Sequence, residues 1–211
     1  RDWSSDVCSS DLLLVRQAGV WHERGVVWTG EAFAWQDRAT DLRPPMDVTG
    51  EHDYLTEIHP QSEAFIASLA ERLCAGRGGA AFFLDYGFPE AEYYHPQRHM
   101  GTLMCHQLHQ ADDRPLEQIG RKDITAHVNF TAMALAAQNA GLEVLGYTCQ
   151  AHFLFNLGLA ERMAQAPLAE RTQAARLVNE HEMGELFKVL GLATQDWPAQ
   201  GFAHGDRSHR L

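Results

Sequence analysis

No stretch of this 211-residue chain approaches the roughly 20 consecutive apolar residues that a bilayer-spanning helix needs. Positive charge is scarce as well: 17 Lys and Arg stand against 28 Asp and Glu, a formal net charge of −11. Nucleic-acid binding calls for a basic face against the phosphates, so this balance argues against it and fits a basic partner or a solubilising surface. Cysteine is sparse, with four residues and no CxxC pair. That excludes a zinc ribbon and a disulfide framework and points to reduced thiols in a cytosolic protein. Internal repeats and low-complexity tracts are missing too. What remains, 45% hydrophobic and 21% charged, is the composition of one folded domain with room for a sizeable core.

The opening residues stand apart. Residues 2–12 read DWSSDVCSSDL, which resembles a translated sequencing adapter and has neither the charged start nor the apolar stretch of a secretion signal. Residues 1–12 are therefore set aside as an adapter-like artefact. Residues 13–211 are expected to be the C-terminal portion of a single domain whose true N-terminal sequence is missing. Without the first twelve the net charge becomes −9, and Cys74, Cys105 and Cys149 remain.

Apolar and polar residues alternate over residues 13–28 around Gly19, and Val15, Val20, Trp21, Val26 and Val27 favour a β-hairpin. Residues 29–58 are polar and turn-rich, with Pro44, Pro45 and Gly50, and read as a surface wrap. A helix is expected from Pro60 to Cys74, where Phe65, Leu69 and Leu73 recur every fourth residue and Gly76 stops it. Residues 80–86, AAFFLDY, form a continuous apolar run ending in an acid, the pattern of a strand buried on both faces of a parallel sheet. Gly87 follows at its C-terminal end, where open α/β sheets bind ligands. Residues 88–121 read as a long loop rich in aromatics and histidines, of the kind used for lids and binding segments. Asn129 can cap a helix over residues 130–140, closed by Gly141. Residues 142–148 and 186–193 read as further strands, with helix in pieces between them, broken at Gly158 and Pro167. The alternation is that of the back half of an α/β sheet with a helical insertion before its last strand.

Five blocks carry a family resemblance: DYGFPEAEYYHPQRHMGTLMCHQLHQ (residues 85–110), DITAHVNF (123–130), GLEVLGYTCQAHFL (141–154), MGELFKVLGLA (183–193) and GDRSHRL (205–211). Together, in order and spacing, they resemble the MidA family of class I S-adenosyl-L-methionine (SAM)-dependent methyltransferases over residues 14–211. The resemblance implies a Rossmann-like SAM-binding sheet with a long substrate-side loop, of which this chain holds the C-terminal part. The family's glycine-rich cofactor turn, of ELGPGxG type, precedes the region present here, as does the acidic residue expected on the ribose. Residues 76–79 contain the nearest local candidate, but they lead into a strand instead of joining a strand to a helix. SAM is thus expected as the cofactor of the intact protein, with its glycine-rich loop outside this chain and the chain inactive alone. Mitochondrial members are associated with dimethylation of an arginine in a respiratory complex I subunit. The resemblance therefore implies a protein substrate with arginine as methyl acceptor.

Methyl transfer to arginine needs the guanidinium oriented and its proton managed. A carboxylate does the first well, because the guanidinium fork matches it bidentately. Asp85, at the end of its strand, is the first catalytic candidate, with Tyr86 and Gly87 lining the pocket; otherwise it caps a turn. His127 is the second, able to position substrate or accept a proton, with a buried, hydrogen-bonded histidine as the plain alternative. Thr125 and Asn129 flank it as substrate-binding candidates. Family members commonly carry Asp at the Asn129 position, which favours a helix-cap role for the Asn here. Tyr93, Tyr94, His95 and Arg98 are expected in a lid that packs on the substrate peptide. His95, His99, Cys105, His106 and His109 could ligate a transition metal, yet they crowd one loop with no second cluster, so no metal is expected. Asp206, Arg207 and His209 are expected to tie down the C-terminus through ion pairs. Two other readings compete: a metal-dependent enzyme built on the histidine loop, and a non-catalytic module whose acidic surface docks a basic partner.

Overall fold

The computed structural model describes residues 12–108, 110–195 and 197–211. The adapter-like segment through residue 11, and His109 of the histidine loop, lie outside the described residues. In chain order the elements are β1 (Leu12–Gln17), β2 (Val20–Trp28), β3 (Phe33–Ala39), β4 (Tyr54–Ile58), α1 (Pro60–Ala75), β5 (Ala80–Phe88) and α2 (Glu90–Tyr93). Then come β6 (Met104–Gln107), β7 (Gln110–Asp112), β8 (Asp123–Thr125), β9 (Val128–Asn129) and α3 (Phe130–Asn139). The remainder comprises β10 (Glu143–Cys149), α4 (Gln150–Asn156), α5 (Leu159–Gln165), α6 (Leu168–Val178) and β11 (Phe187–Ala193). No described helix is long and apolar enough to cross a membrane.

Two compact units emerge. The first holds the described residues through Ser62 together with Ala91–His127. Its larger sheet is antiparallel throughout, in the order β3-β2-β1-β4. The expected hairpin is present: Ala18 and Gly19 both take positive φ, +47° and +78°, the two-residue turn whose twist matches its strands. Residues 29–58 are more ordered than their polarity implied, since they contain β3 and β4. The sequence hid β3 because its side chains are mostly solvated at the sheet edge, which removes the need for apolar alternation. The loop after it is pinned by Arg16, only 7% exposed, which donates to Val48 O (2.8 Å) and His52 O (3.1 Å). The long loop expected over residues 88–121 also requires correction. It contains α2, and its strands β6 and β7 join β8 in a three-stranded antiparallel sheet ordered β7-β6-β8.

The second unit holds Glu63–Glu90 and Val128–Leu211. Its sheet runs β10-β11-β5-β9, with β11 antiparallel to both neighbours and β5 parallel to β9. One face packs against α1 and α3: Ile66, Ala70, Phe130, Met133 and Ala137 meet Tyr147, Leu190 and Leu192. The helix over Phe130–Asn139 starts as expected, with Asn129 Oδ1 accepting from Ala132 N at 3.1 Å. Strand β5 departs from expectation in its environment. Phe82, Leu84 and Tyr86 are 42%, 47% and 43% exposed, so this strand is not buried on both faces. Its paired neighbour along residues 80–86 is the antiparallel β11. The run reads as continuous because the exposed face is apolar too, with the Phe82 ring near those of Phe153 and Phe202.

Candidate functional site

The sequence candidates fall on both units. Asp85 falls within β5, paired with Lys188, and its Oδ1 accepts from the backbone N–H of Tyr86 at 2.7 Å; the strand runs on to Phe88, so neither the expected strand end nor a turn falls at Asp85. The Tyr86 ring lies 4.0 Å from that of Phe187. Gly87 pairs with Val128, and Phe88 with Asn129, where β5 meets β9. Here the backbones approach so closely that a Cβ on Gly87 would sit 2.7 Å from the Phe130 ring and closer still to Val128 O. Sequence reading missed the polar pair beside this junction. Glu90 N donates to Thr131 Oγ1 (2.9 Å), and Asn129 Nδ2 reaches Glu90 Oε1 (3.4 Å). Asn129, offered as a substrate contact, is 3% exposed, with its amide spent on the cap and on Glu90.

A second polar assembly lies within the first unit and is organised by a residue outside every family block. Glu57 on β4 is fully buried. Its Oε1 accepts from Thr102 N (2.9 Å) and Leu103 N (2.8 Å); its Oε2 accepts from Thr102 Oγ1 (3.1 Å) and the Tyr93 hydroxyl (3.0 Å). Gly101 lets the loop come this near, since a Cβ there would lie 2.6 Å from Glu57 Oε1. Tyr93 OH also meets His59 Nε2 at 2.9 Å, and Tyr94 OH donates to the Glu57 carbonyl at 3.2 Å. Burial, reinforced by the Glu57 charge, pushes the Tyr93 phenol well above its usual range, so it remains a donor. Tyr93 and Tyr94 are 1% and 3% exposed. The expected lid surface is therefore corrected for these two: their rings are interior struts, because each hydroxyl is drawn inward to Glu57.

Other lid candidates do face solvent. His95, Arg98, Glu92 and His99 line a cleft of about 440 Å³ in this unit. Arg98 Nε donates to Glu92 O (3.1 Å), while Tyr54 OH donates to His95 O (3.1 Å), which ties the cleft wall to β4. Thr125 Oγ1 donates to Met104 O at 3.4 Å across β6 and β8. His127 N donates to Thr102 Oγ1 at 3.0 Å. Burial, together with the Arg98 positive charge, lowers the His127 imidazole below its ordinary range, against a hydrogen bond with the Thr102 backbone that raises it. The ring is thus neutral near pH 7 and suited to accept a proton.

Among the described residues no group of three or more His, Cys, Asp and Glu is placed to hold a metal ion. In the second unit, of the residues expected to anchor the C-terminus through ion pairs, Arg207 does so and Asp206 acts through hydrogen bonds instead. Arg207 forks onto Glu185 at 2.6 and 3.2 Å, and Asp206 Oδ1 accepts from Tyr147 N at 2.9 Å. Burial pushes the Glu185 carboxyl up, but its hydrogen bonds with Arg207 and Lys188 prevail and hold it at about 2.

Residues 7–148 match the model of a family described as "Putative S-adenosyl-L-methionine-dependent methyltransferase". A crystal structure from Burkholderia thailandensis with S-adenosyl-homocysteine bound is 40% identical, with a TM-score of 0.85 over 95% of this chain and 55% of that one. A native crystal structure of an uncharacterized protein from the same organism is 41% identical, with a TM-score of 0.86 over 95% of this chain and 56% of that one. This chain thus spans little more than half the length of either protein. Nothing matches among curated proteins.

Proposed function

We propose, from the premise that this chain belongs to the methyltransferase family its residues 7–148 match, that the protein transfers methyl groups from SAM to a protein arginine. The observation that carries this reading is the 40% identical relative, which holds S-adenosyl-homocysteine, the product left when SAM gives up its methyl group. A class I methyltransferase uses SAM as methyl donor, and the mixed α/β unit with its helical insertion agrees with that class. Among the described residues, however, no glycine-rich turn joins a strand to a helix. Gly76, Gly78 and Gly79 lead from α1 into β5, so the residues present do not fit a cofactor loop and no step through SAM is assigned to them.

The acceptor side is where this chain's own groups come in. Asp85 offers a carboxylate on β5, suited to orient a guanidinium. His127 offers a neutral imidazole able to take up a proton. His95 and Arg98 line the cleft, and their side chains are the ones offered to a substrate peptide in this reading. A respiratory complex I subunit is the substrate that the family resemblance brings forward, and a cytoplasmic setting belongs to the same proposal.

The test uses the protein in its full natural length, methyl-labelled SAM, and arginine-containing proteins and peptides. Label recovered in methylated arginine is expected, with Asp85→Asn and His127→Gln each slowing transfer about 10²- to 10⁴-fold, the span of general acid–base effects. Label on another residue type, or none at all, overturns the arginine reading.

A further inference from the structure

The hairpin of β2 and β3 carries an apolar face that the described residues leave open. Directly paired residues of antiparallel strands point to the same side of a sheet. The register therefore sets Arg24 beside Asp37, Val26 beside Trp35 and Trp28 beside Phe33, three successive rungs of one face. Val26, Trp28, Phe33 and Trp35 are 39–59% exposed. Their arrangement is ordered: the Trp28 and Phe33 rings meet edge to face with centroids 5.1 Å apart, and the Arg24 guanidinium lies 5.8 Å from the centre of the Trp35 ring. With aromatic side chains of roughly 150–250 Å² apiece, the four residues leave on the order of 400 Å² of apolar surface open. A contiguous patch of that size is commonly a binding surface.

The charges around the patch select its partner. The acids and arginines of the two strands are spent on one another: Arg24 pairs with Asp37 at 2.8 Å on this face, and Arg38 with Glu23 at 3.7 Å on the other. The face therefore holds out no unspent charge to a basic or an acidic partner and rewards an apolar surface of its own size. A second copy brings that surface. Across a two-fold axis the patch meets itself, with each ion pair already neutral at its rim. We infer that two copies of the protein associate hairpin on hairpin through this face, with Trp28 and Trp35 as the anchors. Two such patches with their rims bury about 1,000 Å², the low end of specific interfaces, so the dimer is a reversible one. This association is independent of the methyl-transfer reading.

The measurement is sedimentation velocity on the protein in its full natural length, over about 1–200 μM, an interval that brackets the micromolar dissociation constants of small interfaces. The unsubstituted protein should pass from monomer to dimer within it. The double variant Trp28→Ser, Trp35→Ser should weaken the dimer at least about tenfold, the loss that follows removal of aromatic anchors. Leu168→Ser, at a leucine 71% exposed in the second unit, should leave it unchanged. Because no charge is paired across the seam, raising NaCl from about 0.05 to 0.5 M should not weaken association. A protein that stays monomeric to about 200 μM overturns the inference without any variant, whether the patch is open or covered by further residues of the longer protein. A dimer that the double variant leaves intact overturns it as well, since another surface then holds the copies together. So does a dimer that salt weakens about tenfold, which would place charges at the contact. Trp28→Ser alone carries the same test where the double variant does not fold.

Discussion

Gly87→Ala is the sharpest probe of the junction where β5 meets β9. The glycine does not owe its place to a left-handed backbone, because its φ is not among the positive ones. Its constraint is steric. An added Cβ would lie 2.7 Å from Phe130 Cε2 and closer still to Val128 O, whereas ordinary contact begins near 3.4 Å. Neither neighbour yields cheaply: one is the backbone of a paired strand, and the other is a ring with no exposed surface in the centre of the core. Overpacking costs about 1–3 kcal/mol when side chains can adjust, so about 3 kcal/mol is expected where a strand must move. A kcal/mol shifts the melting midpoint of a domain this size by about 2–4 °C, which gives a loss of roughly 6–12 °C. Gly25→Ala is the matched control, since its new Cβ would meet only Gln36 O at an ordinary 3.8 Å. Thermal melts of the three proteins by circular dichroism decide the matter. A Gly87→Ala midpoint within about 2 °C of the parent would show that the close approach of β5 and β9 does not constrain this position.

The remaining predictions probe the other anchors. Glu185 is held below its ordinary value, so its contribution to stability is full above about 4.5 and is lost as pH falls toward about 2. With the side chain 38% exposed, solvent screening limits that contribution to about 1 kcal/mol; denaturant melts of the parent and Glu185→Gln should differ by this at pH 6 and converge near pH 2, and a constant difference refutes the ion-pair account. Glu57→Gln keeps one oxygen but puts an amide NH2 where either two backbone N–H groups or two hydroxyls need an acceptor, at a cost of about 1–3 kcal/mol; an unchanged urea midpoint would deny the buried cradle. Among the described thiols, Cys74 is exposed whereas Cys105 and Cys149 are buried, and burial pushes both of those thiols above their ordinary range, so less thiolate is present at neutral pH. Iodoacetamide followed by peptide mapping should therefore modify Cys74 first, and comparable rates at all three would contradict the packing.

Local signals carried much of the second unit. Asn129 before an apolar helix, Gly141 after it, and breaks at Gly158 and Pro167 all act over a few residues, and each boundary appears where that chemistry puts it. Strand β5 shows the limit of such reasoning. An apolar run specifies a strand but not its neighbours, and pairing with the antiparallel β11 is decided about a hundred residues later. The first unit was less legible for a related reason: β4 reads YLTEI, and its buried Thr56 and Glu57 look like surface residues until their partners are known. Those partners, Tyr93 and Thr102, lie 36 and 45 positions away. Residue type alone could expose the candidates Asp85 and His127, because their chemistry is their own. It could not expose Glu57, whose role exists only through what it holds. The same logic reassigns Tyr93 and Tyr94: an aromatic pair beside histidines looks like a binding wall, yet a buried acceptor turned both hydroxyls inward. Residues that hold a site through others are therefore better sought by asking which buried charge needs donors, and which loop supplies them, than by the reactivity of any side chain.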